Sequence, residues 1–212
     1  VESLNELQAI RKPNQFLLAV GCMAEKYADE IRERCPGVDG ILGTRSLQKI
    51  MSLVQSLDQT LSVKTQPDFY QNVVAPQGPS AYLKIADGCS RNCAFCAIPL
   101  IKGKWASRPV EDILRDARDL ERAGVREIIL IAQDSTAYGL DRGEKDALPD
   151  LIEKILEAAP SVPWIRILYA FPGIVSDRLI DLMATNERFL PYLDIPLQHA
   201  DPTILKAMNR PA

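Results

Sequence analysis

The stretch Tyr82-Leu83-Lys84-Ile85-Ala86-Asp87-Gly88-Cys89-Ser90-Arg91-Asn92-Cys93-Ala94-Phe95-Cys96 decides how this chain is read. Its first five residues predict a strand, and the strand empties into a loop that carries three of the chain's five cysteines. The spacing is C-x3-C-x2-C. Five is an odd number, and Val1-Glu2-Ser3-Leu4 has neither the basic flank nor the apolar run of a secretion signal, which disfavours a disulfide framework. Clustered thiols in such a chain point to metal or cluster ligation. Three thiolates on one loop can hold three irons of a 4Fe–4S cube and leave the fourth iron open to a small molecule, whereas four-cysteine ligation suits plain electron transfer. Two other readings stand beside this one. A zinc site would recruit the single histidine, His199, which is far away in sequence, and would lack the usual paired spacing. Three buried cysteines with no metal are the other.

Working outward, strand and helix signals alternate downstream of the loop. A helix is predicted over 110–123, with Ile113, Leu114, Ala117 and Leu120 on one face and Gly124 ending it. An isoleucine-rich strand over 127–132 follows. Leu148, Leu151, Ile152, Ile155, Leu156 and Ala159 then keep helical spacing. A strand over 164–169, a helix over 177–184 and a fourth strand over 192–197 come next. Asp201-Pro202 supplies an N-cap and a first-turn proline for a last helix. Four βα units in succession imply right-handed crossovers and a curved parallel sheet. A closed eight-stranded barrel needs more chain, so the expectation is a partial (β/α) barrel that continues past Ala212. In such sheets the chemistry sits at the carboxyl ends of the strands. Those ends are Asp87 to Cys89, Gln133-Asp134, Phe171-Pro172 and Gln198-His199.

Upstream, a helix end over 4–11, a short strand over 16–20 closed by Gly21, a charged helix over 23–34 closed by Pro36-Gly37, a second strand over 38–42 and a helix over 47–57 predict a small open α/β sheet with parallel strands. The segment 58–80 loses all periodicity and reads as a linker. The fold class expected is therefore α/β throughout.

Composition excludes little more. The 212 residues suffice for a real core, and 47% hydrophobic with 25% charged is ordinary for a globular protein. A net charge of −3 leaves no overall footprint for nucleic acid or anionic membrane. No apolar run approaches a membrane span, so no membrane partner and a cytoplasmic location are expected.

The run Tyr82–Gly103 resembles the radical S-adenosylmethionine (radical SAM) methylthiotransferase family. Ser107–Pro109, Leu130–Gly139, Tyr192–Ala200, Lys206–Pro211 and Val20–Glu25 fit the same family, so the likeness covers nearly the whole chain. The IPLIKG and AQDSTAYG segments favour its ribosomal-protein branch over its tRNA-modifying one. The resemblance implies three regions: 1–57 as the remnant of a flavodoxin-like α/β domain, 58–80 as linker, and 81–212 as a truncated radical SAM core. It implies two 4Fe–4S clusters in the intact family member, with S-adenosylmethionine as both methyl donor and radical source. Cys89, Cys93 and Cys96 would hold the cluster coupled to S-adenosylmethionine. Cys22 would be one of three ligands of the second cluster, the other two lying upstream of Val1. The family's final core strands and its C-terminal TRAM domain have no counterpart here, so this chain alone is not expected to complete turnover. The implied reaction is methylthiolation of an aspartate β-carbon in small-subunit ribosomal protein S-twelve, supported by an unspecified electron donor. An unactivated C–H has no useful acidity, and that is the chemical reason for a radical route. Methylthiolation of a tRNA adenosine and a non-catalytic zinc-binding module are the alternative functions.

Single residues are weighed in that light. Cys22 by spacing alone would be an ordinary buried small residue, and only the resemblance makes it a ligand. Cys35 is read as structural. Phe95 is a core aromatic or, by resemblance, a neighbour of the cofactor's adenine. Gln133, Asp134 and Gln198 are each a cap or surface residue taken singly, but together at successive strand ends they form a cofactor rim. His199 is read as structural. Lys102, Lys104 and Arg108 are read as a small basic stretch beside the loop, and Trp105 as core. No catalytic acid or base is assigned.

Overall fold

The computed structural model describes residues 2–59 and 78–210. The chain forms two compact units, one from 1–71 with 100–102 and the other from 72–99 with 103–212. Of the segment read as a linker, 60–77 lie outside the described residues.

The first unit begins with helix α1 (Glu2–Ala9) and strand β1 (Leu18–Gly21). Helices α2 (Cys22–Lys26) and α3 (Ala28–Arg34) follow where the sequence predicts one helix over 23–34. The break is at Tyr27, whose backbone (φ −125°, ψ 34°) leaves the helical region. Hydrogen bonds persist across it: the Tyr27 amide donates to the Met23 carbonyl (2.8 Å), and the Tyr27 carbonyl accepts from Ile31 (2.9 Å). Periodicity alone cannot distinguish such a kink from a straight helix. Strand β2 (Gly40–Gly43) pairs with β1 in parallel, from Leu18↔Gly40 to Gly21↔Gly43. A 3₁₀ turn over Thr44–Lys49 leads into α4 (Ile50–Leu57), so the helix expected over 47–57 starts as a tighter coil. Ala19, Ala24, Ile31 and Cys35 make the small core, and Cys35 is buried there, as a structural residue should be.

The second unit is built on β3 (Ser80–Lys84). Strand β4 (Ala86–Asp87) follows, then helix α5 (Ile98–Lys102), whose last three residues count with the first unit, β5 (Ala106–Ser107), α6 (Val110–Arg122), β6 (Glu127–Ile131), α7 (Ala147–Ala158), β7 (Trp164–Ile167), α8 (Asp177–Thr185) and α9 (Pro202–Ala207). Strands β3, β6 and β7 form a parallel sheet in that order, with Ala81, Ile128 and Ile165 in one cross-strand row and Leu83, Leu130 and Ile167 in the next. Side chains alternate faces along a strand, so these rows share one face. Ile128, Leu130, Ile165 and Ile167 are fully buried there with Ile113, Ala117, Ile152 and Ile155 of the two long helices. A parallel sheet joined through helices needs that cover, and it gives the layout of a partial (β/α) barrel.

Polar residues close this unit. Arg188 donates to the carbonyls of Leu156 (2.9 Å), Ala159 and Val162 (2.9 Å), satisfying groups that the end of α7 leaves free. Arg108 pairs with the buried Asp116 (2.7 Å) and donates to the Lys84 carbonyl (2.6 Å). The expected basic stretch is corrected accordingly: Arg108 is committed to the fold and is not offered with Lys104.

The fourth strand expected over 192–197 is not a ladder strand. The chain does run beside β7, with Leu190 donating to Ile165 (2.9 Å) and Ala170 donating to Asp194 (2.9 Å). Pro191 just before this stretch and Pro196 within it offer no amide, which disfavours regular pairing. Strands β4 and β5, two residues each and antiparallel, were too short for periodicity to show.

Candidate cluster-binding site

The cysteine loop leaves β4 through Gly88 and ends at α5. Gly88 has φ +72°, and a Cβ there would lie 2.2 Å from the Lys104 carbonyl oxygen and 2.8 Å from that of Gly103. Only glycine satisfies both the left-handed backbone and the close approach. The turn after α5, Gly103-Lys104, thereby lies against the loop, and the Cys89 amide donates to the Gly103 carbonyl (3.1 Å). Ser90 Oγ accepts from the Trp105 amide (3.1 Å), and Trp105 is buried as expected.

The loop's far side is tied to the end of α9. Asp201 Oδ1 caps that helix, accepting from Thr203 (2.8 Å) and Ile204 (3.1 Å), with Pro202 in the first turn. At the other end Asn209 takes φ +53°, and the Arg210 amide donates to the Leu205 carbonyl (2.9 Å), the bond that closes a left-handed C-terminal turn. That turn aims two side chains at the cysteines. Asn209 Nδ2 donates to the Asn92 carbonyl (2.7 Å), and Arg210 Nη1 approaches Cys93 Sγ (3.6 Å). The Ala94 amide donates to the Met208 carbonyl (3.0 Å), and the Cys96 amide to the Cys93 carbonyl (3.1 Å).

Cys89 is buried, and Cys93 and Cys96 are half-buried. Burial pushes the Cys89 thiol above its ordinary value; the Arg91 amide at its sulfur (3.4 Å) opposes this, while Asp134, Cys96 and Cys93 add to it. The three thiols thus lie within electrostatic reach of one another. Among the described residues no three His, Cys, Asp or Glu side chains gather as a single metal ion would require. His199 lies exposed, with Nδ1 accepting from the Asp201 amide (2.9 Å), a structural role at the entry to α9.

Beneath the loop, Arg91 pairs with Asp134 (2.9 Å), and Thr136 also donates to that carboxylate (2.5 Å). Asp134 is thus buried with both oxygens engaged. The guanidinium carbons of Arg91 and Arg210 lie 4.2 Å and 4.5 Å from the centre of the Phe171 ring. A cavity of about 220 Å³ opens beside them, lined by Cys89, Ser90, Arg91, Asp134 and Asp141 among others. Asp141 accepts from the Ser107 hydroxyl (2.5 Å) and amide (3.0 Å). Burial pushes the Asp141 carboxyl up, but these hydrogen bonds outweigh it and hold it below the usual carboxylate range.

The sequence-predicted residues are therefore divided. Cys89, Cys93, Cys96 and Asp134 share one end of the sheet, whereas Phe95, Gln133 and Gln198 are exposed. Gln198 and Tyr169 both hold left-handed φ (+72° and +63°), a strain that non-glycine residues rarely accept. Cys22 is exposed at the end of β1 and not buried as spacing alone suggests. Phe171 was placed at a strand end on the active face, but sequence reasoning assigned no role to Arg91, Arg210, Ser107 or Asp141. An arginine inside the cysteine loop was the one local signal; the rest are brought in by the fold.

The donor set fits a cluster: three thiols on one loop, pinned by backbone hydrogen bonds and faced by a buried cation. Residues 83–212 match the Radical SAM superfamily, and the chain belongs to it. Family membership implies a 4Fe–4S cluster and S-adenosylmethionine as cofactors. Among individual proteins, the chain is similar to "Ribosomal protein uS12 methylthiotransferase RimO" of Thermoanaerobacter sp. (38% identical, covering 99% of this chain and 50% of the relative). It is likewise similar to the protein of that name from Chloroflexus aurantiacus (41% identical, 98% and 50%). The chain spans about half the length of these curated relatives. Among solved structures, it resembles the radical S-adenosylmethionine methyltransferase TsrM of Kitasatospora setae (TM-score 0.50, 17% identical, covering 63% of this chain and 24% of that one), a likeness of fold. No helix among the described residues is long and apolar enough to cross a membrane.

Proposed function

We propose that this chain is the cluster-bearing part of a radical SAM methylthiotransferase whose substrate is an aspartate β-carbon of small-subunit ribosomal protein S-twelve. The observation that carries the reading is the pinned loop: Cys89, Cys93 and Cys96 lie on one turn fixed by Gly88, Asn209 and Arg210. The names of relatives 37–41% identical to this chain support the choice of substrate.

In this reading Cys89, Cys93 and Cys96 hold the 4Fe–4S group, and Asp134 fixes Arg91 under the loop. Bound there with S-adenosylmethionine, the cluster supplies the electron that makes a carbon radical capable of taking hydrogen from an unactivated C–H. The protein's part is to hold the loop and to keep water from it, which the buried Cys89, Trp105 and Phe171 do on one side. Phe95, Gln133 and Gln198 are proposed as rim contacts for the cofactor. Residues 1–57 are proposed as the remnant of the flavodoxin-like domain, 58–80 as linker and 81–212 as radical SAM core. Cys22, exposed at the end of β1, is proposed as a ligand of a second cluster.

The test is anaerobic reconstitution with iron and sulfide, followed by mass spectrometry of ribosomal protein S-twelve treated with the intact enzyme. The expected results are about four irons per Cys89–Cys96 site and a methylthio adduct on one aspartate. A gain of mass on tRNA adenosine with none on the ribosomal protein would reject the substrate. A colourless protein retaining one zinc would reject the enzyme.

A further inference from the structure

We infer that Arg210 is a positioning residue for the cluster loop, directing a charged N–H at Cys93 Sγ and so setting the ease with which the bound cluster accepts an electron. The inference rests on the cluster reading above and concerns a residue to which that reading assigns no chemistry.

Arg210 is 9% exposed, and its guanidinium is ionised at any ordinary pH. Its neighbour on the Phe171 ring, Arg91, is neutralised by Asp134. Arg210 forms no ion pair with any carboxylate among the described residues. Nη2 donates to the Pro196 carbonyl, Nη1 faces Cys93 Sγ at 3.6 Å, and Nε is buried with no hydrogen-bond partner among the described residues. The face of Phe171 offers only partial compensation, since a cation over a ring gains less than one beside an anion. A buried cation left uncompensated is destabilising, and proteins rarely retain one without an anion to meet it.

The group that meets Arg210 is Cys93 Sγ. A neutral thiol is a weak acceptor and leaves the charge unanswered, whereas a thiolate bonded to iron answers it. The backbone also fixes this placement: the left-handed turn at Asn209 and the bond from Asn209 Nδ2 to the Asn92 carbonyl hold the residue before Arg210 against the residue before Cys93. Adding one electron to the cluster raises the negative charge on its sulfur ligands. A charged N–H donor then binds the reduced form more strongly than the oxidised form, and hydrogen bonds to cluster sulfurs are among the determinants of potential. Arg210 therefore favours the reduced state.

The test uses the full 212-residue chain, reconstituted anaerobically with iron and sulfide, in wild-type, Arg210→Gln and Arg210→Lys forms. Iron and sulfide content are counted first. The cluster is then titrated with dithionite and redox mediators, the reduced form being read by electron paramagnetic resonance. Arg210→Gln is expected to keep its fold by circular dichroism and to lower the reduced-to-oxidised ratio at fixed potential about tenfold, which for one electron is about 59 mV. Arg210→Lys, which keeps the charge, is expected to shift it less. Loss of the cluster from Arg210→Gln with retention in Arg210→Lys would equally support a charge role. Loaded variants with unchanged potentials, equal shifts in both, or loss of the cluster from both would overturn it. A folded wild-type chain that takes up no iron would instead overturn the cluster reading itself.

Discussion

Replacing Gly88 by alanine tests whether the cysteine loop is held as tightly as its contacts indicate. A left-handed backbone costs an L-residue about 1–2 kcal/mol. At Gly88 the added Cβ would also lie 2.2 Å from the Lys104 carbonyl oxygen, and backbone cannot move aside as a flexible side chain can. Overpacking of this kind adds about 1–3 kcal/mol, giving a total of about 2–5 kcal/mol. Gly124 separates the two contributions: its φ is +77°, but nothing lies within 4 Å of an added Cβ. Gly124→Ala should therefore lose only the backbone share, about 1–2 kcal/mol. Both tryptophans, Trp105 and Trp164, belong to the second unit, so their fluorescence during urea unfolding reports on that unit alone. With a slope of about 2 kcal/mol per molar urea, the midpoint should fall by about 1–2.5 M for Gly88→Ala and by about 0.5–1 M for Gly124→Ala. Equal losses in the two variants would refute the claim that Gly103-Lys104, the turn after α5, is pressed against the loop at Gly88.

Other perturbations reach different parts of the same unit. Cys93→Ala should abolish reductive cleavage of S-adenosylmethionine by the reconstituted protein, because one of three proposed anchors is gone; an unchanged yield of 5′-deoxyadenosine would contradict the ligand assignment. Asp116→Asn breaks a buried ion pair with Arg108 and should destabilise the second unit by about 3–5 kcal/mol, read by the same tryptophan signal. Asp141 has a folded-state carboxyl held below the unfolded value, so its stabilising contribution is complete above the unfolded value, about pH 4, and is lost as pH falls through the lower folded value. Asp141→Asn should accordingly flatten the loss of stability below about pH 4 while leaving the slope near neutrality unchanged, and urea midpoints measured across that range would show it.

Much of the second unit was legible because its signals are local. Helices α6 and α7 repeat apolar residues at helical spacing, and both occur within a residue or so of their predicted limits. The cap of α9 is written in Asp201-Pro202 and is made as written. The strand expected over 192–197 failed for an equally local reason, the two prolines, which periodicity outweighed in the reading. The kink at Tyr27 and the two-residue strands β4 and β5 carry no periodic signature at all. In the site, the cysteine spacing could be read directly, whereas Asp134 as an anchor for Arg91, and Arg108 as a buried ion-pair partner, could not.

The sequence by itself determined the alternation of strands and helices, the loop of three thiols and the family to which they belong, because these depend on residues near one another in the chain. Tertiary structure alone decided which groups face those thiols. Arg210 stands 117 residues from Cys93, and Asp134 stands 43 from Arg91. No spacing rule spans such distances. The sheet brings the ends of its strands together, and the turn after α9 carries a buried cation back to the loop, so charge is balanced across the fold and not along the chain.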